Sequence, residues 1–159
     1  MLLENSSAKK QRPEFWAKLP LAELNDEEWE ALCDGCGQCC LIKLADDATG
    51  ELHYTALACQ LLDLESCRCS NYTQRLEKVP SCLDVRLLWQ SSPRLAEMPA
   101  SCAYRLRARE LPLPQWHPLC SNDSESVGHA GVSVRGRVIP EEYVHEEEWQ
   151  EHIITWVEL

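Results

Sequence analysis

Four of the ten cysteines in this chain fall within eight positions, Cys33-Asp34-Gly35-Cys36-Gly37-Gln38-Cys39-Cys40. Apolar packing does not ask for that density, because branched side chains fill a core better than thiols do. Thiols at this spacing are suited to holding a soft metal. Two consecutive Cys-x-x-Cys steps bring three sulfurs within reach of one ion, and Cys40 follows at once. Gly37, directly after the second cysteine, can turn the backbone so that amide N–H groups point at a thiolate. The stretch reads as half of a metal site, with the other half to come from elsewhere in the chain.

The remaining cysteines are Cys59, Cys67, Cys69, Cys82, Cys102 and Cys120. Tetrahedral zinc and iron–sulfur centres both take four thiolates, often as local pairs brought together by the fold. The pairs here are Cys33/Cys36, Cys39/Cys40 and Cys67/Cys69, with Cys59 and Cys82 as single ligands. Those eight sulfurs fill two four-cysteine sites or one polynuclear site with shared thiolates. Neighbouring side chains usually diverge, so Cys39 and Cys40 fit two nearby metals, or a ligand and a bystander, better than one tetrahedral ion. Cys102 suits a ligand or a small buried residue equally well, and Cys120, after His117-Pro118, reads as incidental. All-sulfur ligation selects zinc or iron and disfavours magnesium and calcium. The Cys-x-x-Cys-Gly step resembles zinc-ribbon and rubredoxin-like knuckles. The longer Cys-x-x-Cys-x-x-Cys run resembles bacterial ferredoxins but lacks their closing Cys-Pro.

Other chemistry finds less support. Of the histidines, only His53 lies near a cysteine of the set in a way that invites an auxiliary ligand, and a hydrogen-bonded surface role explains it more simply. A Cys–His nucleophile pair needs only one residue of each type, but nothing local singles out a nucleophile. The chain has no phosphate-cradling glycine loop, no dinucleotide fingerprint and no His-Glu-x-x-His. No catalytic constellation emerges, and the six tryptophans read as core and cover.

Composition sets the surroundings. The 159 residues suffice for one domain with a modest core. With 26 Asp plus Glu against 15 Lys plus Arg, the formal charge is −11, which disfavours partners that bind through phosphate, whether nucleic acid or an anionic membrane. No stretch approaches the ~18 apolar residues of a membrane span, and the polar start resembles no secretion signal. The expected location is therefore cytoplasmic. In a reducing compartment ten cysteines point to metal or redox chemistry rather than disulfides.

The elements that must position the sulfurs follow from local signals. Residues 1–13 read as a flexible tail, and 14–159 as a single cysteine-cluster domain. Asn25 or Asp26 caps a helix through Trp29 and Leu32 that delivers the chain to Cys33. Leu41–Leu44 and Glu51–Thr55 form a hairpin around the Asp46–Gly50 turn. Helical turns are expected over Ala56–Leu64, from Ser70 or Asn71 to Lys78, from Ser81 through Trp89 up to a break at Ser91-Ser92-Pro93, and over Cys102–Glu110. Ser121–Gly131 reads as an exposed loop, Val132–Val134 as a short strand continued at Arg137–Ile139, and Glu146–Leu159 as an amphipathic terminal helix.

Taken together, Cys33 to Cys40, Cys59, Cys67-Arg68-Cys69-Ser70-Asn71-Tyr72, Cys82, Cys102-Ala103-Tyr104-Arg105 and Trp116-His117-Pro118-Leu119 resemble the CxxCxxCC cysteine-cluster family of the YcgN type. That is a bacterial family regarded as a zinc- or iron-chelating domain. The resemblance runs from about Trp29 to the terminal segment. It implies metal-chelating roles for Cys33, Cys36, Cys39, Cys40, Cys59, Cys67, Cys69 and Cys82, brings Cys102 nearer to that group, and supplies no reaction or substrate. The expected molecule is a small α+β domain, mostly helical, with a short β-hairpin around a cysteine-rich metal core. Its expected function is binding zinc or iron, with an iron–sulfur cluster as one form of the centre. Two alternatives stand beside it: an iron–sulfur redox enzyme or electron carrier, and an interaction module scaffolded by structural metal.

Overall fold

Asn25 opens the first well-formed helix, α2 (Asp26–Ala31), after a single turn α1 (Phe15–Lys18). Its side chain accepts from the Glu28 N–H while Glu28 reaches back to the Asn25 N–H, a reciprocal cap that fixes where the helix starts. The architecture is that of a computed structural model, which describes residues 10–90 and 93–159. From α2 the chain crosses the cysteine loop and enters β1 (Leu41–Ala45), then turns into β2 (Leu52–Ala58). The two strands pair antiparallel, and the Asp46 carboxylate takes the Ala48 and Thr49 N–H groups in the turn.

The register shifts between Leu41 and Lys43, so β2 carries extra residues opposite Ile42. Thr55 fills this bulge: its hydroxyl donates to the Ile42 carbonyl and accepts from the Leu57 N–H. Beyond the bulge the strands meet again at Leu41 and Ala58, and the Cys59 N–H bonds the Cys40 carbonyl at 2.8 Å. A bulge that re-aims strand ends in this way is a positional device.

Two small strands follow, β3 (Leu62–Asp63) and β4 (Arg68–Cys69), paired antiparallel. Next come α3 (Arg75–Lys78), α4 (Val85–Leu88), α5 (Ala103–Ala108), α6 (Pro118–Ser121) and α7 (Ser126–His129). Strand β5 (Ile139–Pro140) runs parallel to β2, completing a three-stranded mixed sheet in the order β1-β2-β5. The molecule is a small single domain of α+β class, with short helices around a small sheet.

Its apolar interior falls into two clusters. One gathers Phe15, Leu21, Leu24, Trp29, Leu32, Ala103 and Tyr104; the other gathers Leu41, Tyr54, Ala58, Leu62, Cys67, Val134 and Val157. Leu32 belongs to the first and Leu41 to the second, so residues 33–40 run from one core to the other. The cysteine loop is the seam between them.

Several elements differ from expectation. Ala56–Leu64 is strand and turn rather than helix, because β2 continues to Ala58 and Leu62 pairs with Cys69. Cys82 precedes α4, which starts only after the Asp84 side chain caps the Arg86 N–H. Ser121–Gly131 contains parts of two helical turns and buries Val127. Val132–Val134 forms no strand. Glu146–His152 is a 3-10 turn, and the following residues extend so that Ile153 bridges Thr55 and the Ile154 N–H bonds the Tyr54 carbonyl. At the N-terminal end Arg12 is held by Glu28, so fixed structure begins inside the expected 1–13 tail; residues 1–9 and the Ser91-Ser92 break lie outside the described residues.

Candidate metal centre

The loop that carries the first four sulfurs is held from three sides. His117, fully buried, bonds the Leu32 carbonyl through Nε2 at 2.8 Å, while its Nδ1 accepts from the Leu119 N–H. An Nδ1 that accepts leaves Nε2 as the donor, so the imidazole is neutral with its proton on Nε2. From the second side, Tyr104 donates its hydroxyl to the Trp29 carbonyl at 2.6 Å. The rings of Tyr104 and Trp29 lie 4.8 Å apart, which sets α5 against α2. From the third, the segment around Val134 lies across the loop: the Val134 N–H bonds the Cys36 carbonyl, and Gln38 donates Nε2 to the Val132 carbonyl. Gly37 makes that approach possible, since a Cβ there would sit 2.6 Å from Val134 Cγ2 and its φ is +79°.

Inside this frame the sulfurs have distinct surroundings. Burial pushes the Cys33 thiol up to about 11, and Cys36 rises well above the ordinary thiol range for the same reason. Both also feel Asp34, whose Oδ1 accepts from the Cys36 N–H. The other oxygen, Oδ2, is buried without a hydrogen-bond partner. A buried carboxyl oxygen without a partner is an orphaned acceptor beside the thiols.

Cys33 and Cys39 retain solvent-exposed surface even though protein crowds them. Cys39 is drawn down toward the thiolate mainly by a hydrogen bond from Cys40, with Lys43 helping. Cys40 is driven up by the same contact and keeps the proton.

Cys40 also neighbours Cys59 and Cys82, Cys59 neighbours Cys82 and Cys69, and Cys82 neighbours Arg75, Cys39 and Cys69. Cys102, at the start of α5, packs against the first apolar cluster; burial raises its thiol to about 12, and Cys39 and Cys33 are its thiol neighbours. Cys67 is buried in the second cluster beneath the loop, with Sγ 3.9 Å from the Ser133 hydroxyl. Cys120 lies on α6 beside Trp16. His53 sits toward the turn end of the hairpin near Glu51, away from the Cys40–Cys59 end. Among the described residues, no group of three or more His, Cys, Asp or Glu side chains is already placed to hold one metal ion. The thiols are neighbours without a common centre.

Some contributors left little trace in the sequence. His117 is one, since its role depends on a carbonyl 85 residues away. Arg68 and Arg75 are others: each brings positive charge to a thiol, Cys33 and Cys82 respectively.

These features define a class, a small α+β domain whose concentrated chemistry is thiol chemistry at the seam of two cores. The chain belongs to the UPF0260 protein family. A UPF0260 protein of Rhodobacter capsulatus is 56% identical over 144 residues, 90% of this chain and 95% of that one. One from Marinobacter nauticus is 50% identical over 143 residues, again 90% and 95% of the two chains. Residues 32–103 match the CxxCxxCC family model, described as "Putative zinc- or iron-chelating domain". No solved structure matches the chain.

Proposed function

We propose that this protein binds zinc or iron through its clustered cysteines, with Cys33, Cys36, Cys39, Cys40, Cys59, Cys69 and Cys82 among the ligands. The observation that carries the reading is the meeting of thiols from the 33–40 loop with those of Cys59, Cys69 and Cys82, contributed by three other segments. The donor set fits a soft ion, and Asp34 Oδ2, buried without a hydrogen-bond partner beside Cys33 and Cys36, is an orphaned acceptor at the same place. Bound metal would supply Lewis acidity if zinc, or one-electron chemistry if iron–sulfur. The chain's own part is to gather the thiols and limit access of water; burial favours the protonated form of most of them, so loading releases their protons. Because the thiols are not gathered in advance, loading draws the side chains inward, so metal affinity and fold stability are linked.

Within this reading an iron–sulfur cluster is a second form of the centre that the all-thiol donor set can hold, since such clusters are bound by four cysteine thiolates.

Metal and sulfide analysis of the full chain, purified anaerobically, tests both statements. Bound zinc or iron is expected, and a brown sample with visible absorption and acid-labile sulfide selects the cluster. A folded, colourless chain free of metal overturns the proposal.

A further inference from the structure

We propose that the sulfurs divide into two sets of four, Cys33, Cys36, Cys39 and Cys102 against Cys40, Cys59, Cys69 and Cys82, and that Cys67 is a core residue and not a ligand. The division rests on the metal-binding reading above and goes beyond it by naming which sulfur serves which centre.

The first set is assembled by helix packing. Leu32, directly before Cys33, lies in the same apolar cluster as Ala103 and Tyr104, directly after Cys102, and Cys102 itself packs on that cluster. The Tyr104–Trp29 hydrogen bond and ring contact fix the two chain segments against each other. Cys36 and Cys39 follow on the loop, and Tyr54 has Cys36, Cys39 and Cys102 all as neighbours. Asp34 Oδ2, buried and partnerless, belongs to this side.

The second set is assembled by strand pairing. The Cys59 N–H bonds the Cys40 carbonyl, Leu62 pairs with Cys69, and the Ser70 N–H reaches the Leu61 carbonyl, so Cys40, Cys59 and Cys69 ride on one continuous ladder. Cys82, beside Arg75, is the neighbour common to Cys40, Cys59 and Cys69, and it also lies near Cys39 at the junction of the two sets. Cys39 and Cys40 therefore stand where the sets meet, and their adjacency is explained by two centres side by side.

Cys67 has different company. It takes a left-handed backbone, φ 56°, at the β3–β4 turn and points its sulfur toward Ser133, among Leu41, Leu62 and Val134. Its Cβ lies 3.6 Å from where a Gly37 side chain would begin, so it packs beneath the loop.

The test is metal content per folded chain in full-length Cys67→Ala and Cys102→Ser, prepared anaerobically beside the parent protein. Cys67→Ala is expected to keep the parent's metal content and spectrum. Cys102→Ser is expected to lose about half the metal, a twofold fall, and Cys82→Ser the other half. Retention of full metal by Cys102→Ser, or loss by folded Cys67→Ala, overturns the division while leaving metal binding intact. A metal-free parent protein overturns the underlying reading instead. Should Cys102→Ser not fold, Cys67→Ala still decides, because the division requires eight ligands without Cys67.

Discussion

His117 controls the approach to Cys33 through two hydrogen bonds, one to the Leu32 carbonyl and one from the Leu119 N–H. Replacing it by Ala leaves both backbone groups buried without partners and opens a cavity at a fully enclosed position. Each unpaired buried group costs about 1–3 kcal/mol, so His117→Ala is expected to lose about 3 kcal/mol or more in urea denaturation. A loss below about 1 kcal/mol would mean that the clamp is dispensable. Glu28 offers a pH-dependent counterpart. Its carboxylate takes Arg12 through Nε, Nη2 and the backbone N–H, and Arg12 holds its pKa down to about 2 from the ordinary 4.5. Arg12 itself is the lid that excludes water, so the hydrogen bonds and not deep burial set this value. A carboxyl depressed in the folded state stabilises the fold above its unfolded value and loses that contribution as protons bind. Thermal stability should therefore fall between about pH 4.5 and pH 2, and Arg12→Ala should flatten this dependence. An unchanged profile in the variant would assign the acid sensitivity to other carboxylates.

At the scale of elements, the loop and the segment around Val134 are fitted to each other at Gly37. An Ala there would meet Val134 Cγ2 at 2.6 Å and hold a positive φ that L-residues avoid. Strain plus overpacking of this kind costs roughly 2–4 kcal/mol. Gly37→Ala is expected to lower the melting temperature and weaken metal retention together, whereas Gly50→Ala, at a positive φ but with open space around it, should pay the backbone strain alone and keep its metal. The same loop marks where sequence was readable and where it was not. Asn25 with Glu28 and the Asp46–Gly50 turn are local signals, and each produced the element it encodes. The terminal segment was ambiguous by its nature. Trp149, Ile153 and Trp156 keep helical spacing, but Ile154, Trp156 and the half-buried His152 also alternate, and the open edge of β2 selected the extended form. Ala56–Leu64 misled because a bulge lets β2 bury Tyr54 with Thr55 and Leu57 with Ala58, which erases the two-residue period. For the site, spacing identified the thiols, but what Cys67 and Cys102 touch is decided by partners far along the chain, Ser133 and the Trp29–Tyr104 contact.

Across the whole molecule the thiols of Cys33, Cys36, Cys39 and Cys40 occupy the seam between two apolar clusters, neither of which is large. An acidic chain of formal charge −11 gains further negative charge when thiols ionise, and Lys43, Arg68 and Arg75 offset only part of it. A cation at the seam would therefore do two things, neutralising the thiolates and tying the clusters to each other. A ligand that binds only the folded chain adds about 2.7 kcal/mol at a free concentration 100 times its dissociation constant. Chelation should withdraw that stabilisation unevenly. The bonds from Val134 to Cys36 and from Cys59 to Cys40 cross or border the seam, whereas the pairing of Ala45 with Leu52 lies at the far end of the hairpin. Hydrogen exchange on the metal-loaded chain, repeated after chelation, is expected to show the Val134 and Cys59 amides accelerating by tenfold or more while those at the hairpin turn change little. Equal acceleration everywhere would mean that metal stabilises the fold globally and the seam is no weaker than its surroundings; no acceleration at Val134 and Cys59 would separate the metal from the fold altogether.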